Sequence, residues 1–125
     1  MVEIYCREEE KQMIEQYSFG SMTISGKRYT SDLKIINGQV FPDWWRKKGH
    51  SVAVDEVTDI LNAKPDYLII GSGKFGLMKV SDPLRLHLSD CGVQVIVERS
   101  KTAMETYNQM YTDGKTIAGA FHLSC

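Results

Sequence analysis

Tyr67-Leu68-Ile69-Ile70-Gly71-Ser72-Gly73-Lys74-Phe75-Gly76 is the stretch on which the fold turns. Residues 67–70 form an apolar run without alternation, the pattern of a strand covered on both faces. The run empties into a turn that spells G-x-G-x-x-G. Working outward to the C-terminal side, residues 77–80 suit a short strand. Asp82-Pro83 is a helix start, with Asp82 as N-cap and proline in the first turn, where its missing N–H is harmless. Leu84, Leu88 and Cys91 then share one helical face, and Gly92 closes the helix. Residues 93–97 read as a second buried strand. Ser100 caps a further helix with Ala103, Tyr107, Met110 and Tyr111 inward, ended by Asp113-Gly114. Residues 116–123 supply a last strand.

On the N-terminal side the period changes to two. Met22 and Ile24 alternate with Ser21, Thr23 and Ser25, and after Gly26-Lys27, Leu33 and Ile35 alternate with Asp32 and Lys34 as far as Asn37-Gly38. These predict two half-buried antiparallel strands forming a hairpin. Residues 41–50 break the periodicity with both tryptophans, Trp44 and Trp45, and three adjacent cations. Asp55 reads as the N-cap of a short helix with Val57, Ile60 and Leu61 on one face, ended by Pro65. Strand, helix, strand, helix, strand over residues 66–124 argues for parallel pairing through right-handed crossovers. The fold class is therefore α/β: one three-layer domain spanning residues 1–125, with a mixed, mostly parallel central sheet and an N-terminal antiparallel hairpin.

Composition excludes several function classes. The chain has 125 residues, 42% hydrophobic and 25% charged, with a net charge of −1. No global basic field exists to hold nucleic acid, and no apolar run approaches the ~20 residues of a membrane helix. Met1-Val2-Glu3-Ile4-Tyr5-Cys6-Arg7 is no secretory signal. Cys6, Cys91 and Cys125 are odd in number and far apart, which suits a reducing cytoplasm. Cys91 reads as a small core residue on its helix. His50, His87 and His122 share no metal-ligand spacing, so no metal is expected. His87 reads as an exposed helix residue. The charged run Glu8-Glu9-Glu10-Lys11 reads as a solvated turn or helix face.

The glycine motif says less than it spells. In a dinucleotide fingerprint the third glycine opens a helix and an acid follows the next strand. Glu98 satisfies the second condition. The first fails, because Leu77-Met78-Lys79-Val80-Ser81 separates Gly76 from the helix start. No cofactor is therefore expected. A P-loop would need Lys-Ser/Thr after Gly76, and a nucleophile elbow would need glycine in place of Ile70. What survives is a set of backbone N–H groups on Gly71, Ser72 and Gly73 at the carboxyl end of a strand, where open α/β sheets bind ligands. Lys74 would supply counter-charge. The structural alternative is a tight turn whose glycines permit positive φ or close packing. Trp45, Arg46 and His50 would fold over this site. Asp32, among apolar strand residues, awaits a partner in Arg46 or Arg28.

An ordered set of residues resembles a known family. Phe19-Gly20, Tyr29 with Asp32, Trp45-Arg46 before Gly49-His50, and Ile69-Ile70-Gly71-Ser72-Gly73 occur in turn. Ser100-x-x-Ala103, Tyr107-Asn108 and the ending Phe121-His122-Leu123-Ser124-Cys125 complete it. The chain is similar from about residue 14 to 125 to the small domain first seen in a methanogen protein and catalogued as domain of unknown function 498; residues 1–13 form an extension. That family includes an adipogenesis-associated cytosolic protein and a mitochondrial complex I assembly factor. The resemblance implies a three-layer fold with a five-stranded mixed sheet, one strand antiparallel. It implies no catalytic activity, and favours a binding or assembly module.

The reading of the whole chain is a non-enzymatic module that binds a protein partner or a small anionic ligand, with a homodimer as a further expectation and neither nucleic acid nor membrane as partner. The candidate binding residues are Gly71, Ser72, Gly73, Lys74, Trp45, Arg46, His50 and Asp32; no catalytic residue is assigned. The alternative is an enzyme that uses a nucleotide or other phosphate ligand at the Gly71–Gly76 turn.

Overall fold

The computed structural model describes residues 13–124. The charged run at residues 8–11, Cys6 and Cys125 lie outside the described residues. Among the described residues ten strands and three α-helices follow in order: β1 (Ile14–Ser18), β2 (Ser21–Ile24), β3 (Lys27–Tyr29), β4 (Leu33–Ile36), β5 (Gln39–Phe41), β6 (Ser51–Val52), α1 (Thr58–Ala63), β7 (Tyr67–Ser72), β8 (Lys79–Val80), α2 (Asp82–Asp90), β9 (Gln94–Glu98), α3 (Ser100–Thr112) and β10 (Ile117–His122).

The central sheet has the order β5-β4-β10-β7-β9. β10 pairs parallel with β7, and β7 with β9, while β10–β4 and β4–β5 are antiparallel. The sheet is thus mixed. The expected predominance of parallel pairing is not met, because a hairpin supplies half of the pairings. Its turn is Asn37-Gly38, both at positive φ (52° and 78°), as the twist of a two-residue hairpin requires.

The N-terminal hairpin takes a different form from the expected one. β2 pairs with β1 and β3, not with β4, giving a separate antiparallel three-stranded sheet. The period-two segments over residues 21–36 belong to two different sheets. Alternation shows which face a strand buries, not which strand it pairs with.

Period two also explains the core. On β7, Leu68 and Ile70 face one way and Ile69 the other, and all three are fully buried. Leu68 and Ile70 pack with Ala118, Ala120, Val52, Val57, Ile60, Leu84 and Leu88 beneath α1 and α2. Ile69 packs with Leu33, Ile35, Phe121, Tyr107, Ile14, Met22 and Ile24, beneath α3 and the small sheet. β10 is the central strand, and all six of its residues are buried.

Several helix ends shift by a residue. The N-cap of α2 is Ser81, whose Oγ accepts a hydrogen bond from the Leu84 N–H at 3.3 Å, so Asp82 is the first helical residue. Arg99, not Ser100, precedes α3. Asp55 lies inside a 3₁₀ turn, Val54–Glu56, and caps nothing; there the Glu56 carboxylate accepts from the Ala53 N–H. Lys64, at φ 52°, ends α1 ahead of Pro65. Cys91 is a free, exposed thiol at the end of α2, and Tyr111 is half exposed, so neither belongs to the core. No helix among the described residues is long and apolar enough to cross a membrane.

Candidate functional site

Asp32 stands just before β4, which pairs with β10, and this register delivers it to the carboxyl end of the central strand. There it meets His122, the one strongly polar residue of β10. The Asp32 Oδ1 accepts from the Leu123 N–H at 2.8 Å. Its Oδ2 accepts from Arg46 Nη2 at 2.7 Å and from His122 Nδ1 at 2.8 Å. Burial by itself would raise the Asp32 pKa. The hydrogen bonds from His122, Leu123 and Arg46, with the nearby positive charge, outweigh it and hold the carboxyl below the usual carboxylate value. Asp32 is therefore an acceptor only, which places the His122 proton on Nδ1. The 3.2 Å approach of Arg46 Nη2 to Nδ1 is two donors sharing one acceptor.

The tryptophan loop brings Arg46 in. Trp44 donates its backbone N–H to the Asp32 carbonyl at 2.9 Å and its indole N–H to the Glu56 carbonyl at 3.0 Å. The Arg46 guanidinium stacks 4.5 Å above the Trp44 ring and donates Nε and Nη2 to the Gly49 carbonyl. The His50 ring sits edge-on to His122, with centroids 5.6 Å apart. Arg46 and His122 are 8% and 6% exposed.

Two atoms of this cluster have no partner among the described residues: Arg46 Nη1 and His122 Nε2, both fully buried. An unpartnered buried polar group costs about 1–3 kcal/mol. The two side chains approach each other through their other nitrogens, Arg46 Nη2 and His122 Nδ1, at 3.2 Å. With Nδ1 donating to Asp32, Nε2 accepts in the neutral ring and donates in the imidazolium, whereas Arg46 Nη1 donates.

The glycine turn adjoins this cluster, because Ser72 lies beside His122 in the β7–β10 register. Its Gly73, Lys74 and Gly76 amides are already bonded. The Gly73 N–H donates to Ser100 Oγ at 2.9 Å, Lys74 N–H to the Ser124 carbonyl at 2.8 Å, and Gly76 N–H to the Gly73 carbonyl at 3.3 Å. Gly71 and Ser72 lie within the paired strand β7. The amide cradle expected at Gly71, Ser72 and Gly73 is corrected accordingly: the fold consumes those donors. Gly71 is glycine for space, since a Cβ there would stand 2.7 Å from Phe121 Cδ1 and 2.8 Å from Ser100 Oγ. The Ser72 hydroxyl donates to the Glu98 carbonyl at 3.0 Å.

Of the eight residues read as one site, Asp32, Arg46 and His50 come together. Gly71, Ser72 and Gly73 form the neighbouring strand end. Lys74 is exposed, about 6 Å from the Phe19 and Phe75 rings. Trp45 is 74% exposed and lines a different cavity of about 460 Å³ with Phe41, Lys34 and Lys47. His122, absent from the sequence reading of the site, is its centre. The available signal was a histidine closing an otherwise apolar strand. Ser100 was read as a cap; instead its hydroxyl donates to the His122 carbonyl and accepts from Gly73, tying the turn to the cluster. No group of three or more potential metal ligands occurs among the described residues.

Comparisons with known proteins agree with this architecture. A family model described as protein of unknown function (DUF498/DUF598) matches residues 14–122. The solved structure of a protein called MT938 is 29% identical, with a TM-score of 0.77, over 92% of this chain and all of that one. The conserved hypothetical protein PH1505 from Pyrococcus horikoshii is 23% identical, with a TM-score of 0.77, over 90% of this chain and 98% of that one. A protein described as an outer membrane protein from Bartonella henselae is 15% identical, with a TM-score of 0.79, over 92% and 97% of the two chains. The last two share the fold alone.

Proposed function

We propose that this chain, which belongs to the DUF498/DUF598 family of proteins of unknown function, is a small-ligand-binding module. Its site is the Asp32–Arg46–His122 cluster at the carboxyl end of the central strand. The observation that carries the reading is the pair of buried nitrogens without a partner among the described residues, Arg46 Nη1 and His122 Nε2. A ligand that completes them offers an acceptor to the guanidinium and a hydroxyl to the imidazole; a small hydroxy acid does both. Asp32 holds the two groups in register and fixes the imidazole tautomer. A cytoplasmic setting belongs to the same reading, supported by the free Cys91 thiol.

The test is an NMR screen of small hydroxy acids, with ¹⁵N detection of the imidazole. Binding is expected to move the His122 Nε2 resonance and to be lost in Arg46→Lys. The reading falls if no acid raises the melting temperature or shifts His122, and a crystal structure shows only a water between the two nitrogens.

One observation favours the enzyme reading. A carboxylate-oriented imidazole with a free Nε2 is poised as a proton acceptor. Among the described residues no nucleophile is aligned with it: the Ser72 hydroxyl is bonded to Glu98, and that of Ser100 to the His122 carbonyl. Binding therefore suits the cluster better than covalent catalysis. The protein-partner expectation rests on exposed Trp45, and the homodimer on nothing further; light scattering with Trp45→Ala decides both.

A further inference from the structure

We propose a second binding site, for a phosphate monoester, in the cavity beside the glycine turn. It does not depend on the reading of the Asp32–Arg46–His122 cluster. The cavity measures about 380 Å³ and opens at the carboxyl ends of the parallel strands β7 and β9, which finish at Ser72 and Glu98. Ligands of open α/β sheets lie at such strand ends.

Charge carries the proposal. Lys79, Arg85 and Arg99 line the cavity, and Glu98 is the only acid in its wall among the described residues. None of the three cations forms an ion pair among the described residues. Glu98 offsets one of the three charges; its carboxylate accepts from the Thr106 hydroxyl at 2.7 Å and forms no ion pair with them among the described residues. The wall thus concentrates positive charge in a protein whose net charge is −1. Three like charges against one carboxylate leave a net repulsion, and a bound anion reverses the sign of that interaction.

Arg99 is also placed. Gly76 has φ +71°, and a Cβ there would stand 3.5 Å from Arg99 Cγ and 3.6 Å from its Nε. The arginine stem therefore lies across the turn, in ordinary contact with it. Guanidinium groups present paired donors that match phosphate oxygens, which favours a phosphate over a halide. Phe75, 55% exposed, stands with Met78 in the same wall and offers apolar surface to an organic group. A phosphate with an apolar substituent fits this division better than inorganic phosphate. The sequence places an anion on the amides of the turn; the fold uses those amides and leaves the cations beside them.

The experiment is a ¹⁵N-resolved NMR titration of the full chain with phenyl phosphate, inorganic phosphate and phenol. Phenyl phosphate is expected to give saturable shifts at Gly76, Lys79 and Arg99, inorganic phosphate to bind more weakly, and phenol not to bind. Arg85→Gln and Arg99→Gln should each weaken phenyl phosphate about tenfold, and the double variant should abolish it. Both side chains are at the surface, and an unchanged melting temperature verifies folding. His122→Gln should leave this affinity intact, which separates the outcome from that of the first site. The proposal is overturned by absence of saturable shifts, by equal binding of phenol, by inorganic phosphate binding as tightly as the monoester, or by affinity that survives the double substitution.

Discussion

Asp32 receives three hydrogen bonds, and each donor is tied to another part of the fold: Arg46 to the tryptophan loop, His122 and Leu123 to the end of the central strand. Asp32→Asn keeps the shape but leaves the Arg46 guanidinium, whose side chain is 4% exposed, without its counter-charge. The expected loss is about 3 kcal/mol, measured by denaturant unfolding. Acid acts on the same residue. Its folded pKa lies below the unfolded one, so the unfolded chain binds the proton more tightly. The stability it contributes is complete above the unfolded value of ~3.9 and is lost as pH falls through the depressed folded value. A melting-temperature profile from pH 6 downward should therefore fall less steeply in Asp32→Asn than in the parent. A profile of unchanged slope would remove Asp32 from the account.

At the scale of elements, β7 lies close against the first turn of α3. Gly71 permits it, and Ser100 bonds across it to both the glycine turn and β10. Gly71→Ala forces Phe121 and the Ser100 backbone apart, because Ser100 Cα would lie 3.1 Å from the new Cβ. A loss of about 1–3 kcal/mol is expected. Ser100→Ala removes no volume of note but strands the Gly73 N–H and the His122 carbonyl. It should cost about 1–3 kcal/mol and speed hydrogen exchange at Gly73. Exchange unchanged at Gly73 would mean that the turn holds itself.

At the scale of the molecule, the last strand in sequence is the middle strand in space. β10 joins the hairpin half, β4 and β5, to the βαβ half, β7 and β9, and contributes to the cores on both faces. Deleting residues 117–124 should leave two half-sheets with no shared core and abolish the cooperative unfolding transition seen by circular dichroism. A truncated chain that still melts cooperatively would show that one half folds alone. The same topology makes the site a product of the complete fold, since Asp32 and His122 are brought together only when β10 pairs with β4.

What the sequence by itself determined is local. The unbroken apolar run at residues 67–70 identified a strand buried on both faces, and Asp82-Pro83 located a helix start to within one residue of its Ser81 cap. Period two marked which side of residues 21–36 is buried. These features depend on neighbours along the chain, so the order of residues suffices to read them. Strand partners do not depend on such neighbours. The tertiary structure alone decided that β2 and β4 join different sheets, that Cys91 is exposed, and that the turn amides are already bonded. It alone placed His122 against both Asp32 and Arg46. Side chains at residues 32, 46 and 122 meet through backbone pairing and loop packing, and no periodicity in the chain encodes that meeting. The glycine motif shows the difference most clearly: its spelling suggests a ligand cradle, and its contacts are those of a strand, a helix and a neighbouring strand end packed as closely as glycine allows.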